Sequence, residues 1–501
     1  MSIKTAKQKT TRTRKYEAMS HAYNKRNRIF AAFLVSTALC SVRASIALAG
    51  TLPNGGAFVA GQGQITTHGG EMTINQSSSR GVIDWRGFSI GSGNSVQFNN
   101  GSGATMNRVT GGQMSQIDGR LGATGSVFLI NPNGIVVGPN GQVVTNGSFV
   151  ASSRDLDNAQ FMRGGAMTAS GKSAGTVVNR GTIKAKDGNV VLIGQSVTNE
   201  GVIVTGHRTA AMIAADSVVL SESGGPSGIY VAAGSTGHGD VTNTGRIQAA
   251  AVELASAHGN VYALGGNHAG AIQANGTNEV DGEVYLTAAD GTVDVGSTVS
   301  SHNADGSGGK IVANGHNVTV ASDAVMDAGA RVSGRAGGTI LVGTSGHGRD
   351  LAQTVTLATG ARLTAGGKGA GLIETSGHHV TTGRLTIDAG HGGTWLTDPD
   401  DLTIDSDAAS TIQTALNAGT NVTEQTTATG TSGAGTVAPG NGDINVNAGI
   451  AWSGKATLTL DAYRNLNVNA PITVNDSGAV VITTGGDDIF NPGGSLTYAT
   501  P

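Results

Sequence analysis

The chain has 501 residues, 80 of them glycine, with only 4% aromatic and 13% charged residues and a formal net charge of −3. Glycine at about twice its usual share without a Gly-X-Y register excludes collagen. A mean hydropathy of −0.05 with frequent Val, Ile and Leu excludes wholesale disorder, which leaves a fold of many short strands and tight turns.

Residues 1–28 carry nine Lys/Arg against one acid, Glu17, and are followed by 29-IFAAFLVSTALC-40 and 47-ALA-49. A basic leader, an apolar run too short to span a bilayer, and small residues at Ala47 and Ala49 read as a cleavable signal peptide over 1–49, with an unusually long leader. Cleavage after Ala49 removes ten basic residues and one acid, and leaves an excess of twelve acids. Such a chain lacks the concentrated positive charge that phosphate contacts need, so nucleic acid is not an expected partner. Cys40, the one cysteine, lies inside the leader. The mature chain therefore has no disulfide, which suits either a large fold that needs none or passage through a narrow pore.

In 126-SVFLINPNGIVVGPNGQVV-144, two turns punctuate three short apolar runs. Pro132 presets φ at the second turn position, while Asn131, Asn133 and Gly134 suit the others; Gly138, Pro139, Asn140 and Gly141 repeat the scheme. These stops read as corners of a tightly wound coil.

Downstream, V-x-N-x-G-x-I recurs at Val177, Val197 and Val241, the last interval being close to two periods of about 22. A second set comprises 187-DGNVVLIG-194, 258-HGNVYALG-265 and 281-DGEVYLTA-288. A third comprises 308-GGKIVANG-315, 337-GGTILVGT-344 and 369-GAGLIETSG-377, and 329-GARVSG-334 recurs as 360-GARLTAGG-367. Units this small cannot bury an apolar face alone, so they stack at about 4.8 Å per coil. About 22 residues per coil predicts about 20 coils and a rod on the order of 100 Å, with stacked asparagines bonding along its axis. The reading is all-β: a parallel β-helix with a first block over 50–165, repeats over 166–396, and a short helix plus further repeats over 397–501. In 405-DSDAASTIQTALNAG-419, Ala408, Ile412, Ala415 and Leu416 fall at helical spacing; Ser406 or Asp407 caps the start and Gly419 ends it. Residues 424–443 read as a loop. The last strands have no terminal cap, which suggests the front of a longer protein.

Signals of chemistry are weak. Gly171-Lys172-Ser173-Ala174-Gly175 has the G-x-S-x-G spacing but leads into a strand where a nucleophile elbow needs a helix, and the near P-loop has the wrong spacing. No H-E-x-x-H or Cys/His set marks a metal site. His378-His379 reads as a solvent-facing turn, and Asp398, Asp400 and Asp401 as a plain acidic turn lacking a calcium loop. No enzyme, cofactor or metal is expected.

Several uncommon motifs follow in order: Asn75-Gln76, 83-IDWRGFSIG-91 with Trp85 and Phe88, 96-VQF-98, 107-NRVTGG-112 with Asn107 and Arg108, 115-SQIDGRLGATGSVFLINPNGIVVG-138 and 149-FVASS-153. This string resembles the N-terminal secretion domain of filamentous haemagglutinin-like exoproteins, the passengers of two-partner secretion. Looser likeness continues through the repeats and 393-GTWLTDPDDLTID-405. The resemblance implies a right-handed parallel β-helix with an N-terminal cap, recognised in the periplasm by an Omp85-type outer-membrane transporter and folded at the surface. Asn131, Pro132, Asn133 and Gly134 match the family's NPNG motif and would serve recognition or folding; a second family motif, NPNL, has no counterpart. Asn75, Trp85, Phe88, Asn107 and Arg108 would form the structural core of that domain. The function expected is a secreted or surface-exposed adhesin-like exoprotein that meets host-cell or bacterial receptors. The alternative is the stalk of a contact-dependent inhibition toxin or haemolysin.

Overall fold

Short strands, most of three to six residues, stack in parallel along three columns; Glu283–Gly296, Lys310–Val320 and Leu372–Thr382 are longer. The computed structural model describes residues 51–222, 229–265, 271–346, 351–427 and 442–499. The first column stacks Ser115–Ile117, Ile135–Val137, Val177–Asn179, Val197–Asn199 and Val241–Asn243. The second stacks Arg120–Ala123, Gln142–Thr145, Thr182–Ala185, Val202–Thr205 and Arg246–Ala249. The third stacks Ser126–Ile130, Phe149–Ser152, Val190–Gly194, Thr209–Ala214 and Ala251–Ser256. The chain visits the columns in turn, one coil per circuit, and the fold is a parallel β-helix. Alternation decides which side chains enter: Ile183 and Ala185 are buried while Lys184 is exposed. The inward residues of all three columns form one continuous apolar core.

The V-x-N-x-G-x-I repeats occupy the same corner. Asn179 Nδ2 donates to Asn199 Oδ1 at 2.8 Å and Asn199 Nδ2 to Asn243 Oδ1 at 2.7 Å, an internal asparagine ladder. Glycine is required beside it. A Cβ on Gly181 would lie 2.3 Å from Gly141 O, and one on Gly201 would lie 2.2 Å from Gly181 O.

The coil length is not constant. It is 20 residues from Asn179 to Asn199 and 22 from Asn445 to Asn467, but 44 from Asn199 to Asn243. That excess supplies the strands Ser217–Glu222 and Ile229–Ala233, and an earlier long coil, 42 residues from Val137 to its partner Asn179, supplies Asp155–Leu156, Ala166–Ser170 and a short helix at Asn158–Arg163; together the four strands make an antiparallel sheet outside the helix. This side sheet covers the outer face of the third column and builds a second core with Phe128, Ile130, Val191, Ile193, Met167 and Leu220. Strands there are buried on both faces, so 126-SVFLI-130 and 190-VVLIG-194 are unbroken apolar runs. Because of these excursions, among the described residues fifteen strands stack in the third column from Arg80–Trp85 to Ala479–Thr484. At about 4.8 Å per rung that is roughly 70 Å, shorter than the coil count from a uniform period.

The N-terminal end is closed by antiparallel strands. Ala57–Ala60 pairs with Arg80–Trp85, and Gly63–His68 forms a hairpin with Glu71–Gln76. Near the other end a helix, Ser406–Asn417, replaces one strand of the second column. Its polar side chains take over the missing ladder. Thr411 Oγ1 accepts from Leu385 N at 3.1 Å on the preceding coil, while Gln413 Oε1 and Asn417 Oδ1 accept from Ala451 N and Ser453 N at 3.0 Å on the following one. The buried stripe is Ala408, Ile412, Ala415 and Leu416, as its spacing predicts. The cap is Asp405, neither Ser406 nor Asp407: its carboxylate accepts from Asp407 N and Ala408 N, and Gly419 follows the last turn at φ +90°.

Two further expectations differ, and one set of repeats, each a turn entering a strand as read, divides between columns. The strand within 258-HGNVYALG-265 stacks on Val241–Asn243 in the first column, whereas those of 187–194 and 281–288 belong to the third. Residues 360–367 supply a second-column strand, Arg362–Thr364, but 329–334 form a turn. Glu424 and Gln425, expected in a loop, end the strand Asn421–Gln425; the rest of that stretch from 428 to 441 lies outside the described residues, as does the leader with Ala47, Ala49 and Cys40.

Candidate functional site

The NPNG corner is built from the inside out. Asn131 follows the strand Ser126–Ile130 and is fully buried. Its Nδ2 donates to Gln113 O and Ser115 Oγ, both at 3.0 Å, on the preceding coil. Its Oδ1 accepts from Asn133 N at 3.0 Å and Asn133 Nδ2 at 3.1 Å, closing an Asx turn over Pro132. Gly134 N donates to Asn131 O at 3.0 Å, and Gly134 has φ +107°, which favours glycine. Pro132 and Asn133 are exposed, and Asn133 Nδ2 also donates to Gly111 O at 2.9 Å. Asn131 thus ties the corner to the coil before it, while Pro132 and Asn133 face outward.

The other expected residues lie on the two coils before the corner and in the cap. Trp85 is buried against Phe88 in an edge-on contact with ring centroids 5.4 Å apart, and its Nε1 donates to Asn107 Oδ1 at 3.0 Å. Asn107 is fully buried and donates onward to Phe128 O at 3.3 Å. Asn75 departs from its expected place in the core. It points outward from the cap hairpin, where its Oδ1 accepts from Asn99 Nδ2 at 2.8 Å, because it alternates with the buried Ile74. Arg108 is also not a core residue. It faces the side sheet, with Nε 2.9 Å from Asp155 Oδ1, NH1 2.6 Å from Asn158 Oδ1, and NH2 donating to Leu156 O.

Two more arginines share that task and carry no motif in the sequence. Arg80 pairs with Glu222, donates to Phe161 O at 2.8 Å and stacks over the Phe161 ring at 5.2 Å. Arg154 is completely buried. It donates to Ala215 O at 2.8 Å, Ser173 O at 2.7 Å, Gln195 Oε1 at 3.2 Å and Asp216 Oδ1 at 3.2 Å. Burial pushes the guanidinium pKa down, and Asp216 opposes this. Arg154 therefore joins the NPNG-bearing coils to both halves of the side sheet. Only its place just after 149-FVASS-153 could have drawn attention to it.

The weaker candidates fall into structural roles. Ser173 donates to Ser153 O at 2.7 Å and accepts from Arg154 at 3.1 Å, and the segment after it is extended, so no nucleophile elbow forms. His378 is mostly buried, with Nδ1 3.1 Å from Asp400 Oδ1, which corrects the expected solvent-facing turn. Asp398 and Asp400 are buried as well, not part of a plain acidic turn; burial pushes the Asp398 carboxyl up to about 7 against the hydrogen bond from Thr427. Among the described residues no three His, Cys, Asp or Glu side chains are grouped to hold a metal ion.

The family model of the TPS secretion domain matches residues 46–342, a span that contains the cap, the NPNG corner and the side sheet. The chain belongs to the TPS secretion domain family. It is 39% identical over 170 residues to a heme/hemopexin-binding protein of Haemophilus influenzae strain Rd, covering 32% of this chain and 19% of that protein. A second heme/hemopexin-binding protein of H. influenzae is 40% identical over 89 residues, covering 17% of this chain and 10% of its own length. The chain thus spans under a fifth of these relatives. The crystal structure of the HMW1 secretion domain from H. influenzae is similar with a TM-score of 0.56 and 27% identity, over 69% of this chain and 95% of that one. The chain therefore carries the secretion domain of an exoprotein of the two-partner route, by which Gram-negative bacteria secrete proteins across the outer membrane.

Proposed function

We propose that this chain is the passenger of a dedicated Omp85-type transporter and that its first coils, with the NPNG corner, are what the transporter engages in the periplasm. The family match over 46–342 carries this reading. The fold supports it physically: each coil stacks on the coil before it, so a chain emerging N-terminus first can add rung upon rung and need not re-enter. The mature protein then acts outside the cell as an adhesin-like rod that presents distal residues to host or bacterial surfaces. Export is tested by deleting the partner transporter and fractionating the cells. The protein should accumulate in the periplasm and vanish from surface and medium; undiminished surface display contradicts the pathway.

A second reading has a specific observation behind it. The relatives that share up to 40% identity are named for binding heme and hemopexin. The exported rod would then serve to capture a haem-carrying protein. Binding of hemopexin to the purified secreted chain separates the two readings: a saturable complex favours capture, and its absence leaves the adhesin-like role.

A further inference from the structure

The corner where the third column turns into the first carries ionisable side chains on successive rungs. Extending the pairing of Val241 with Val261 and of Val261 with Val293 places His238, His258 and Asp290 directly above one another. His316 lies opposite Asp290 on the next rung, at the register shift between Ala288 and Thr292. The His238 and His258 rings lie 5.3 Å apart between centroids, tilted by 32°. His258 Nδ1 is 2.5 Å from Asp290 Oδ2. His258 and Asp290 line an open cleft of about 700 Å³ with Ser235, Asn314 and His316. The His258 side chain is 32% exposed, and His238 is exposed.

The chemistry of this arrangement is specific. A carboxylate that accepts the Nδ1 proton fixes the tautomer in which Nε2 keeps its lone pair, and raises its basicity; metal-binding histidines are oriented in this way. A second imidazole one rung away, its ring centroid 5.3 Å from that of His258, can share an ion once side-chain rotation turns both nitrogens onto it at metal–nitrogen bonds of about 2.0–2.1 Å. Imidazole nitrogen suits copper, nickel and zinc, and among these Cu²⁺ binds most tightly to a given nitrogen set. No third protein ligand converges among the described residues, so water completes the coordination.

We propose that His238 and His258, with Asp290 positioning His258, form a surface site for a divalent transition-metal ion, with Cu²⁺ preferred over Ni²⁺ and Zn²⁺. The site stands on side chains of the coil corner and does not depend on how the chain is exported. Both histidines lie outside the apolar core, so their alanine variants retain the fold, which circular dichroism checks.

Cu²⁺ is titrated alone into the full chain and followed by electron paramagnetic resonance. The expected spectrum shows coupling to two imidazole nitrogens. His258→Ala abolishes that signal, His238→Ala reduces it to one nitrogen, Asp290→Asn weakens binding by about tenfold, and His68→Ala changes nothing. A copper signal unaltered in the His238→Ala/His258→Ala double variant overturns the proposal. In the unmodified chain, Cu²⁺ should shield His238 and His258, but not His68, from acylation by diethyl pyrocarbonate. Equal labelling of all three with and without copper also overturns it.

Discussion

The coils between residues 80 and 256 and those between 394 and 475 wind in the same way, yet opposite kinds of buried polar group hold them. In the first region charge is kept and paired. Arg80, Arg108 and Arg154 reach from the β-helix to the side sheet, each with a carboxylate and at least one carbonyl as partner. In the second region charge is suppressed. Glu424 points into the coil interior, hydrogen-bonded to Thr397, and burial pushes its carboxyl up to about 8. Thr397 in turn lies 3.3 Å from Thr375 Oγ1, which accepts from Trp395 Nε1 at 2.9 Å. A β-helix can thus admit polar groups by bridging them to an added layer or by keeping them neutral along the stack, and the two solutions respond differently to perturbation.

The largest effect is expected where charge is kept. Arg154→Ala strips the side sheet of its central tie and strands Asp216, at a cost of about 3–5 kcal/mol. Denaturant unfolding should show the loss, and limited proteolysis should cut first within 155–175 or 217–234, while the coils after 394 stay resistant.

The second region should respond to pH. A folded carboxyl that stays protonated to about 8, against about 4.3 in an unfolded chain, holds a proton that unfolding releases. Stability is therefore full below about 4.3, falls by about 1.4 kcal/mol per pH unit as pH rises from there to about 8, and then levels. Asp398, raised to about 7, adds to the same trend. Glu424→Gln should flatten much of that slope when unfolding of this region is followed from pH 5 to 8.5, and an unchanged slope would remove Glu424 from the account. On the side-sheet half, Glu253 is raised to about 7 by burial at the last of its coils, so a weaker pH dependence is expected there.

Smaller effects separate the two asparagines of the NPNG corner. Asn131→Ala removes two donor contacts and two acceptor contacts in a fully buried position and should cost about 2–3 kcal/mol. Asn133→Ala leaves an exposed turn and should cost under about 1 kcal/mol. Gly134→Ala, with φ +107° and a Cβ 3.0 Å from Thr176 O, falls between, at about 1–2 kcal/mol. Thermal melts of the three variants give the order directly.

The features legible in the sequence were those whose cause is local. Alternation in Thr182–Ala185, the Asn179–Asn199–Asn243 corner and the helical stripe of Ile412 and Leu416 each express a period short enough to read along the chain. The side sheet was not legible. Arg154 meets Ala215 and Asp216 61 and 62 residues away, and nothing near Arg154 announces them. Nor could similar letters fix a column: 187-DGNVV-191 and 258-HGNVY-262 use the same Gly-Asn turn chemistry at different corners. Asn75 shows the same limit, since a family motif residue can lie on the outward side of an alternating strand. In the candidate site, NPNG was visible as turn chemistry, but the burial of Asn131 and exposure of Asn133 depend on the coil before it.

The most direct test follows newly made protein from periplasm to medium in cells that carry the partner transporter, comparing Asn131→Ala with Glu424→Gln. Asn131→Ala should remain largely periplasmic while Glu424→Gln reaches the medium as fast as the unaltered chain. Export of Asn131→Ala at the unaltered rate would contradict the assignment of the first coils as the part that the transporter engages.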